Sequence, residues 1–363
     1  MQRLQNLRNK LLPDGPDGLL IGSSPNRRYL SGFRGSAGWL LITPSEACLS
    51  VDFRYVEQAK QEAAGFEIRH FSGDLPAWLP GLISKLRISR LGIEADHLSY
   101  STYRTISQLA KTAAPPFKLL PVKNMVESLR IVKDKGELMA IEKACKIADD
   151  AILDLALHLE AGVSEKQVAW NLESLLRQQG SDTLPFEIIV ASGPNAALPH
   201  AQPSDRLINE GETVIIDFGA RCSGYCSDMT RTFIIGEQTE KFNTVYNIVL
   251  GAQMTALSVI EKGMSARSAD GLVRGMIENA GYGEFFGHGL GHGVGLETHE
   301  APRIGTLSDD ILQDDMAFTV EPGIYLPGWG GVRIEDTVTI TDGKLRRLTH
   351  AGKNARIREV IIS

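Results

Sequence analysis

Two acidic residues beside apolar segments are the first feature of this sequence that could do chemistry. Asp217 ends the apolar run that begins at Thr213, and Asp228 directly precedes a second apolar run. The segment between the runs, residues 220–226, can form a turn, so the runs are predicted to pair as a hairpin. A carboxylate in a strand core is costly unless it is paired or bound to a cation, and two on adjacent strands repel each other. One such residue could form a structural salt bridge, whereas two favour a shared cation.

A second pair of acidic residues repeats this arrangement further along the chain. Glu321 follows an apolar run, and Glu335 lies in the strand-like segment 331–340. Strand alternation places Arg333 and Glu335 on one face and Ile334 on the other. If two halves pack about a pseudo-twofold axis, the four carboxylates converge, and two divalent cations would neutralise them. Bridging carboxylates would hold such cations about 3.5–4 Å apart, the spacing used in two-metal hydrolysis.

A glycine-rich segment offers nitrogen ligands to such a site. Residues 286–300 contain His288, His292 and His299, three of the eight histidines of the chain. Their alternation with glycines is hard to explain as core packing, because glycines let the backbone approach a ligand closely. His200 lies just before the first acidic strand. A carboxylate-rich site with one imidazole ligand favours Mn²⁺, Co²⁺ or Zn²⁺.

Helices are predicted before each acidic region. Apolar positions from Leu138 to Leu159 recur at helical spacing, which predicts a long helix that Gly162 ends. Residues 164–167 form a capping-box pattern that opens a second helix, and Gly180 closes it. These two helices precede the strands that carry the first carboxylate pair.

The same pattern returns later in the chain. Residues 160–164 (Glu-Ala-Gly-Val-Ser) match residues 261–265 (Glu-Lys-Gly-Met-Ser), and Gly281 corresponds to Gly180. The acidic segments already described then match in the same order. Chance similarity among helix ends is the alternative, but the ordered matches favour an internal duplication. Each half would contain two helices followed by acidic strands.

The first third of the chain is predicted to be a separate α/β unit. Short apolar runs predict strands, and one amphipathic run predicts a helix: residues 18–22, 38–43 and 47–52, and residues 55–64. Prolines at 115, 116 and 121 mark a break after this unit. We therefore predict an N-terminal domain over residues 1–124 and a catalytic domain over residues 125–363.

The composition narrows the class of protein. The 363 residues include 38 Lys plus Arg and 44 Asp plus Glu, and the net charge of −6 argues against an electrostatic nucleic-acid binder. No apolar run approaches the ~20 residues of a membrane span, and the N-terminus lacks a signal-peptide pattern. Four cysteines are too few for a disulfide scaffold, which predicts a cytoplasmic location. Cys222 and Cys226 lack the further ligands of a zinc site, so they are predicted to be free thiols.

Taken together, these motifs resemble those of the pita-bread metallopeptidases, in particular the aminopeptidase P and prolidase branch. The catalytic region carries the resemblance in five segments: residues 216–219, 227–232, 288–300, 320–325 and 332–336. Residues 29–36 and 52–55 are similar to the N-terminal domain of that family, and residues 129–133 to the entry into its catalytic domain. The resemblance implies an α/β N-terminal domain and an α+β pita-bread domain, in which helix pairs cover a curved antiparallel sheet.

The resemblance also implies a role for each site residue. It assigns the metal ligands as Asp217 on one metal, His292 and Glu321 on the other, and Asp228 and Glu335 bridging both. It assigns catalysis or substrate binding to His299, His200, His288 and Arg333, with Glu321 as a proton shuttle. Two divalent ions per chain are therefore expected, manganese first and cobalt or zinc as alternatives.

The implied activity is hydrolysis of Xaa-Pro bonds at peptide N-termini by a dinuclear-metal aminopeptidase. The expected partners are a peptide with proline in second position and a second copy of the chain in a homodimer, without nucleic acid or membrane. A prolidase acting on Xaa-Pro dipeptides is the alternative, because the motifs do not separate the two. The intact ligand set argues against a creatinase-like enzyme and against a non-enzymatic binding protein. The long N-terminal region argues against a methionine aminopeptidase.

Overall fold

The computed structural model describes residues 2–11 and 14–355. The chain divides into two compact units, Met1–Arg130 and Ile131–Ser363. The short helix Glu127–Arg130 packs against the first helix, Gln2–Asn9, so the first unit continues past residue 124. The predicted boundary between the N-terminal and catalytic domains, after residue 124, stays a prediction.

The first unit is a mixed sheet covered by helices. Its elements are α1 (Gln2–Asn9), β1 (Gly18–Ile21), α2 (Ser24–Ser31), β2 (Trp39–Ile42), β3 (Ala47–Val51), α3 (Val56–Glu62), β4 (Glu67–His70), α4 (Leu75–Lys85), β5 (Arg90–Glu94), α5 (Tyr100–Thr112), β6 (Lys118–Val122) and α6 (Glu127–Arg130). The strand order is β4-β3-β2-β1-β5-β6. Strand β2 pairs antiparallel with β1 and β3, and the other neighbours are parallel. This is the predicted α/β unit, although the sequence pattern predicted only β1–β3 and α3.

The second unit carries the acidic segments. Its elements are α7 (Lys135–Ala156), α8 (Glu165–Gln178), β7 (Ile189–Ser192), β8 (Thr213–Phe218), β9 (Arg221–Cys222), β10 (Tyr225–Cys226), β11 (Met229–Ile234), α9 (Glu240–Val259), α10 (Ala266–Asn279), β12 (Gly291–Gly293), β13 (Glu300–Ile304), β14 (Ala317–Val320), β15 (Gly323–Leu326), β16 (Gly330–Arg333), β17 (Asp336–Thr341) and β18 (Lys344–Arg347). Its two larger sheets have the orders β11-β8-β7 and β13-β12-β14-β17-β18. Helices α7 and α8 pack on the first sheet, and α9 and α10 pack on the second. The predicted α+β architecture with helix pairs over antiparallel strands is confirmed.

The predicted hairpin between the first two carboxylates is confirmed. Strands β8 and β11 pair antiparallel, with Asp217 opposite Thr230. The Glu335 N–H donates to the Thr230 carbonyl at 3.1 Å, which links the first half of the unit to the second. The four acidic segments therefore meet where the two halves join.

The internal duplication is visible in backbone hydrogen bonds. The Gly162 N–H donates to the Ile208 carbonyl at 2.8 Å, and the Gly263 N–H donates to the Leu312 carbonyl at 2.8 Å. Both glycines have φ = +88°, a conformation that residues with a Cβ rarely adopt. The two halves therefore repeat the same turn and the same loop contact, which confirms the predicted duplication.

Two predicted helix features differ from the structure. Helix α7 ends at Ala156, before Leu159, because the chain must turn there to bring Gly162 to its partner carbonyl. Leu159 lies in the loop after α7 but is buried in the same hydrophobic core as that helix. The apolar spacing therefore continues beyond the end of the helix. The Ser164 Oγ caps α8 by accepting from the Gln167 N–H at 3.2 Å, but the Gln167 side chain donates elsewhere. Only half of the predicted capping box is present.

The predicted continuous strand over residues 331–340 is wrong, because it consists of β16 and β17 with a break at residues 334 and 335. The Ile334 N–H donates to the Pro322 carbonyl at 3.3 Å, whereas the next N–H donates to Thr230. The chain thus changes partner strand at this point. The side chains of Arg333 and Glu335 nevertheless both contact the Thr230 hydroxyl, so they share a face as predicted.

The last described residues anchor the second half of this unit to the first. Asp149 in α7 accepts hydrogen bonds from the His350 N–H at 2.8 Å and from the Ala351 N–H at 2.7 Å. Arg231 in β11 donates to the Ala351 carbonyl and to Asp336 Oδ1, each at 2.8 Å. The end of the second half is therefore tied to the first helix and to the last strand of the first half.

The cysteines Cys48, Cys145, Cys222 and Cys226 are all buried and outside any disulfide, in agreement with the free thiols predicted at Cys222 and Cys226. Within residues 2–11 and 14–355, no helix combines the length and the apolar character needed to cross a bilayer.

Candidate metal centre

Carboxylates from both halves of the second unit converge on one cavity. Asp217 lies in β8, Asp228 directly precedes β11, Glu321 directly follows β14, and Glu335 lies between β16 and β17. The cavity has a volume of about 460 Å³. The other predicted site residues also line it: His200, His288, His292, His299 and Arg333. The structure therefore brings together every residue that the sequence singled out.

The imidazole of His292 faces the carboxylates through one nitrogen. Its Nε2 lies 3.5 Å from Asp228 Oδ2 and 3.4 Å from Glu321 Oε1. Its Nδ1 lies 3.2 Å from the Gly293 carbonyl, which only accepts, so Nδ1 carries the proton. One donor atom each from Asp228, His292 and Glu335 lies within 4.8 Å of the others. A backbone carbonyl that fixes the tautomer is a common feature of histidines that bind metals through Nε2.

Asp217 has one oxygen that no protein group satisfies. Its Oδ2 accepts from Arg333 Nη2 at 2.7 Å, whereas its buried Oδ1 has no hydrogen-bond partner. An unpaired buried carboxylate oxygen is costly unless a cation binds it. Together with the carboxylate-dominated donor set, this orphaned oxygen fits a divalent cation of the harder or borderline type.

The charges of the site are poorly balanced by the protein alone. Burial, and then repulsion from the other three carboxylates, raises the pKa of Asp228 well above its ordinary value. Burial, and then repulsion from Glu321 and Asp217, does the same to the pKa of Glu335. Burial also raises the pKa of Glu321, against attraction from His288 and Arg333. A bound cation would favour the ionised form of all these groups.

The three further histidines occupy different places around the carboxylates. The His299 ring packs on His292, with ring centroids 4.1 Å apart. His288 donates from Nδ1 to the Gly289 carbonyl at 2.8 Å, and its Nε2 accepts from the Tyr325 hydroxyl at 2.9 Å. His200 is exposed at the cavity wall. Both ring nitrogens of His288 are therefore engaged by protein groups. The exposed rings of His299 and His200 are more accessible to a substrate.

Arg333 is buried, and its guanidinium donates hydrogen bonds to protein groups. Besides Asp217, it donates from Nη1 to the Tyr325 hydroxyl at 2.8 Å and from Nε to Thr230 Oγ1 at 3.0 Å. Burial raises the pKa of Tyr325 to about 12, so its hydroxyl keeps its proton at neutral pH. Arg333 thus orients Asp217 and the residues around it.

Comparisons with known proteins agree with this geometry. The family profile of metallopeptidase family M24 matches residues 139–342, and the profile of the creatinase/prolidase N-terminal domain matches residues 3–132. The chain belongs to metallopeptidase family M24. As an M24 member it is a hydrolase that uses metal to cleave peptides.

Relatives of this M24 peptidase match it over nearly their whole length. The Xaa-Pro dipeptidase of Pyrococcus horikoshii is 40% identical over 337 residues, covering 92% of each chain. The structure of an Xaa-Pro dipeptidase from Bacillus anthracis is 42% identical, with a TM-score of 0.94 and 98% of each chain covered. The structure of X-Pro aminopeptidase from Thermotoga maritima is 38% identical, with a TM-score of 0.88, covering 96% of this chain and 98% of that chain.

Sequence reasoning missed a set of threonine hydroxyls that hold the acidic residues of the M24 site. Thr230 Oγ1 donates to Glu335 Oε2 at 2.6 Å, and Thr319 Oγ1 donates to Glu321 Oε1 at 3.0 Å. Thr337 Oγ1 donates to the Asp228 carbonyl at 2.7 Å. Each threonine is two residues from one of the carboxylates, so strand alternation puts it on the same face. That spacing is the signal that would have identified them.

Metal content should distinguish the roles of His288 and His292, two histidines of the M24 site. His292→Ala is expected to lose metal, because Nε2 faces Asp228 and Glu321. His288→Ala is expected to keep its metal and to lose activity, because its ring holds Tyr325 and lines the cavity. Metal analysis of both purified variants beside their hydrolysis rates measures this, and equal metal loss in both would contradict the assignment.

Proposed function

We propose that this M24 peptidase hydrolyses Xaa-Pro dipeptides with two divalent cations. The proposed ligands are Asp217, Asp228, His292, Glu321 and Glu335. The observation that carries the proposal is the convergence of four largely buried carboxylates and one imidazole nitrogen on a single cavity. Similarity to enzymes named Xaa-Pro dipeptidase, at up to 42% identity among those described, supports the substrate class.

These five residues would hold the two cations between them. Asp217 would hold one cation, His292 and Glu321 would hold the other, and Asp228 and Glu335 would bridge them. When bound, the cations supply Lewis acidity and make a water molecule nucleophilic near neutral pH. Manganese is the proposed resident metal, because oxygen donors outnumber the single imidazole.

Glu321 is proposed to move the proton during hydrolysis. Its carboxylate takes a proton from the attacking water and gives it to the proline nitrogen, which leaves readily only when protonated. The Thr319 hydroxyl fixes this carboxylate through Oε1. His299 is proposed to stabilise the developing oxyanion from beside His292, and His200 to contact the substrate at the cavity wall.

An exposed arginine supports a preference for dipeptides. Arg303 in β13 lies opposite His292 in β12, and directly opposed residues of an antiparallel pair share a face of the sheet. Among the residues that the structure describes, no side chain forms a hydrogen bond or ion pair with its guanidinium. A dipeptide carries its carboxylate directly on the proline, so a cation beside the site would bind it.

Removal of this arginine should therefore discriminate between substrates. Arg303→Met is expected to raise KM for Ala-Pro about 10-fold or more, because a charge-assisted hydrogen bond contributes about 1.5–3 kcal/mol. The KM for Ala-Pro-Ala, whose carboxylate lies one residue further on, should change much less. Steady-state kinetics on both peptides, with Arg267→Met in α10 as control, measures the effect. An equal change for both substrates would contradict carboxylate binding by Arg303.

The aminopeptidase activity expected from the sequence is the second candidate. It has support from the similarity to the X-Pro aminopeptidase of T. maritima, at 38% identity. Comparing kcat/KM for Ala-Pro with that for longer Xaa-Pro peptides tests the two candidates directly. A preference for the longer peptides would favour the aminopeptidase. The homodimer and the cytoplasmic location stay predictions.

A further inference from the structure

The segment that leads into the histidine strand has no regular structure of its own. Residues 286–290 lie outside any helix or strand, between a short 3-10 helix (Gly283–Phe285) and β12. They carry His288 and end two residues before His292. Their glycines at 287 and 289 leave the backbone many conformations, so an accurate site needs something to fix it.

A pair of charged residues in α10 contacts this segment at every second residue. Arg274 Nη1 donates to the Phe286 carbonyl at 2.8 Å, and its Nη2 donates to the His288 carbonyl at 2.7 Å. Asp270 Oδ1 accepts from the Leu290 N–H at 3.0 Å. The pair thus makes contacts of the kind that a neighbouring strand would make.

The two side chains hold each other in one geometry. Arg274 Nε lies 2.9 Å from Asp270 Oδ2, and Nη2 lies 2.9 Å from Oδ1. The Asp270 side chain is 0% exposed and that of Arg274 is 20% exposed. A bidentate pair of this kind restricts both side chains, and the rigid guanidinium still has donors left for the carbonyls.

Both ends of the segment continue into the site. The Arg274 guanidinium lies over the Phe286 ring, 4.4 Å from its centroid, and that ring meets His288 edge to face at 5.0 Å. At the other end, the Leu290 carbonyl accepts from the Glu321 N–H at 2.8 Å. The pair therefore reaches the His288 ring through Phe286 and the Glu321 backbone through Leu290.

The duplicated half offers a comparison within the same chain. When Ser164 is aligned with Ser265, the positions of Asp270 and Arg274 in α10 correspond to Ala169 and Glu173 in α8. Helix α8 packs on its own sheet with no charged pair at these two positions, and its own i, i+4 pair, Glu173–Arg177, lies one turn later and is partly exposed. The fold itself does not require the pair, which occurs in the half that carries the histidine segment.

We propose that Asp270 and Arg274 are positioning residues for peptide hydrolysis. They fix the carbonyls of residues 286 and 288 and the N–H of residue 290, and they thereby hold the His288 ring against Tyr325 and hold the backbone that supports Glu321. The Asp270 side chain is fully buried, and the polar contacts of both residues go to each other and to residues 286–290, so the pair acts through that segment. The inference rests on the proposed peptidase activity, and the experiment below separates the two.

Arg274→Met is expected to lower kcat for Ala-Pro about 10- to 100-fold while metal content stays at the wild-type level. Arg274→Lys should recover only part of kcat, because an ammonium cannot reproduce the bidentate contact and both carbonyl contacts. Arg177→Met removes another arginine paired at i and i+4, in α8, and should leave kcat unchanged. Absence of activity in the wild-type enzyme would contradict the proposed function, whereas normal kcat in Arg274→Met would overturn the positioning role.

A double-mutant cycle between Arg274 and His288 distinguishes positioning from general stability. If Arg274 acts through His288, then combining Arg274→Met with His288→Ala should cost little more than His288→Ala alone. Fully multiplicative losses in kcat would overturn the proposal. If Arg274→Met does not fold, Asp270→Asn serves as the second variant, since it keeps the shape and weakens the pair. It should lower kcat in the same direction by a smaller factor, and a wild-type kcat in that variant would also overturn the proposal.

Discussion

Asp228→Asn is expected to abolish peptidase activity and to lower the metal content of the purified enzyme. The carboxylate is buried among three others, and its Oδ2 lies 3.5 Å from the His292 ring. Asparagine keeps the size of the side chain but cannot bridge two cations as a carboxylate does. Because bound metal contributes several kcal/mol to the transition state, we expect a loss of at least about 10³-fold in kcat/KM.

Metal stoichiometry and hydrolysis of Ala-Pro on the same preparation measure this effect. Asp150→Asn in α7 is a matched control, because its carboxylate pairs with the exposed Lys146 and does not line the cavity. Chelator-treated wild-type enzyme should lose activity and regain it when a divalent ion is added. Full turnover by metal-free enzyme would exclude the two-metal reading of the site.

His299→Ala is expected to lower kcat by about 10²–10³ while both metals remain bound. The ring packs on His292 at 4.1 Å between centroids and lines the cavity, and His299 is not one of the five proposed ligands. It can therefore serve the transition state without serving as a ligand. The expected loss is that of one oxyanion donor, and it should appear in kcat with KM almost unchanged.

Kinetics and metal analysis of this variant distinguish three roles of His299. Near-wild-type kcat would remove His299 from catalysis. Loss of one metal would make it a ligand, and the ligand count of five would then be wrong. Loss in KM alone would make it a substrate-binding residue, like the role expected of His200.

The sequence was most informative where chemistry and strand alternation act together. A carboxylate in an apolar run is costly, so Asp217 and Asp228 stood out, and their hairpin follows from the turn between them. Alternation also placed Arg333 and Glu335 on one face, although the strand is broken between them. The break was not predictable, because it depends on Pro322 and Thr230, which are distant in sequence and contribute the partner carbonyls.

Supporting residues were harder to find from the sequence. Threonine is common in strands, so Thr230 and Thr319 attract no notice until the carboxylates beside them are known. Asp270 and Arg274 read as an ordinary i, i+4 pair on a helix surface. Only the packing of α10 against residues 286–290 reveals that the pair faces inward.

The anchoring of the C-terminal segment on Asp149 has a mechanical consequence for the second unit. Its first helix binds its last described residues, and Glu335 joins the halves again at the site itself. The two halves are thus connected both at Asp149 and at Glu335. Because of these two connections, we expect that they do not separate by rotation about a single hinge. Substrate entry and product release are then expected to involve side chains and loops at the cavity wall, which includes His200. The distances among the five proposed metal ligands are therefore expected to stay nearly constant through each catalytic cycle.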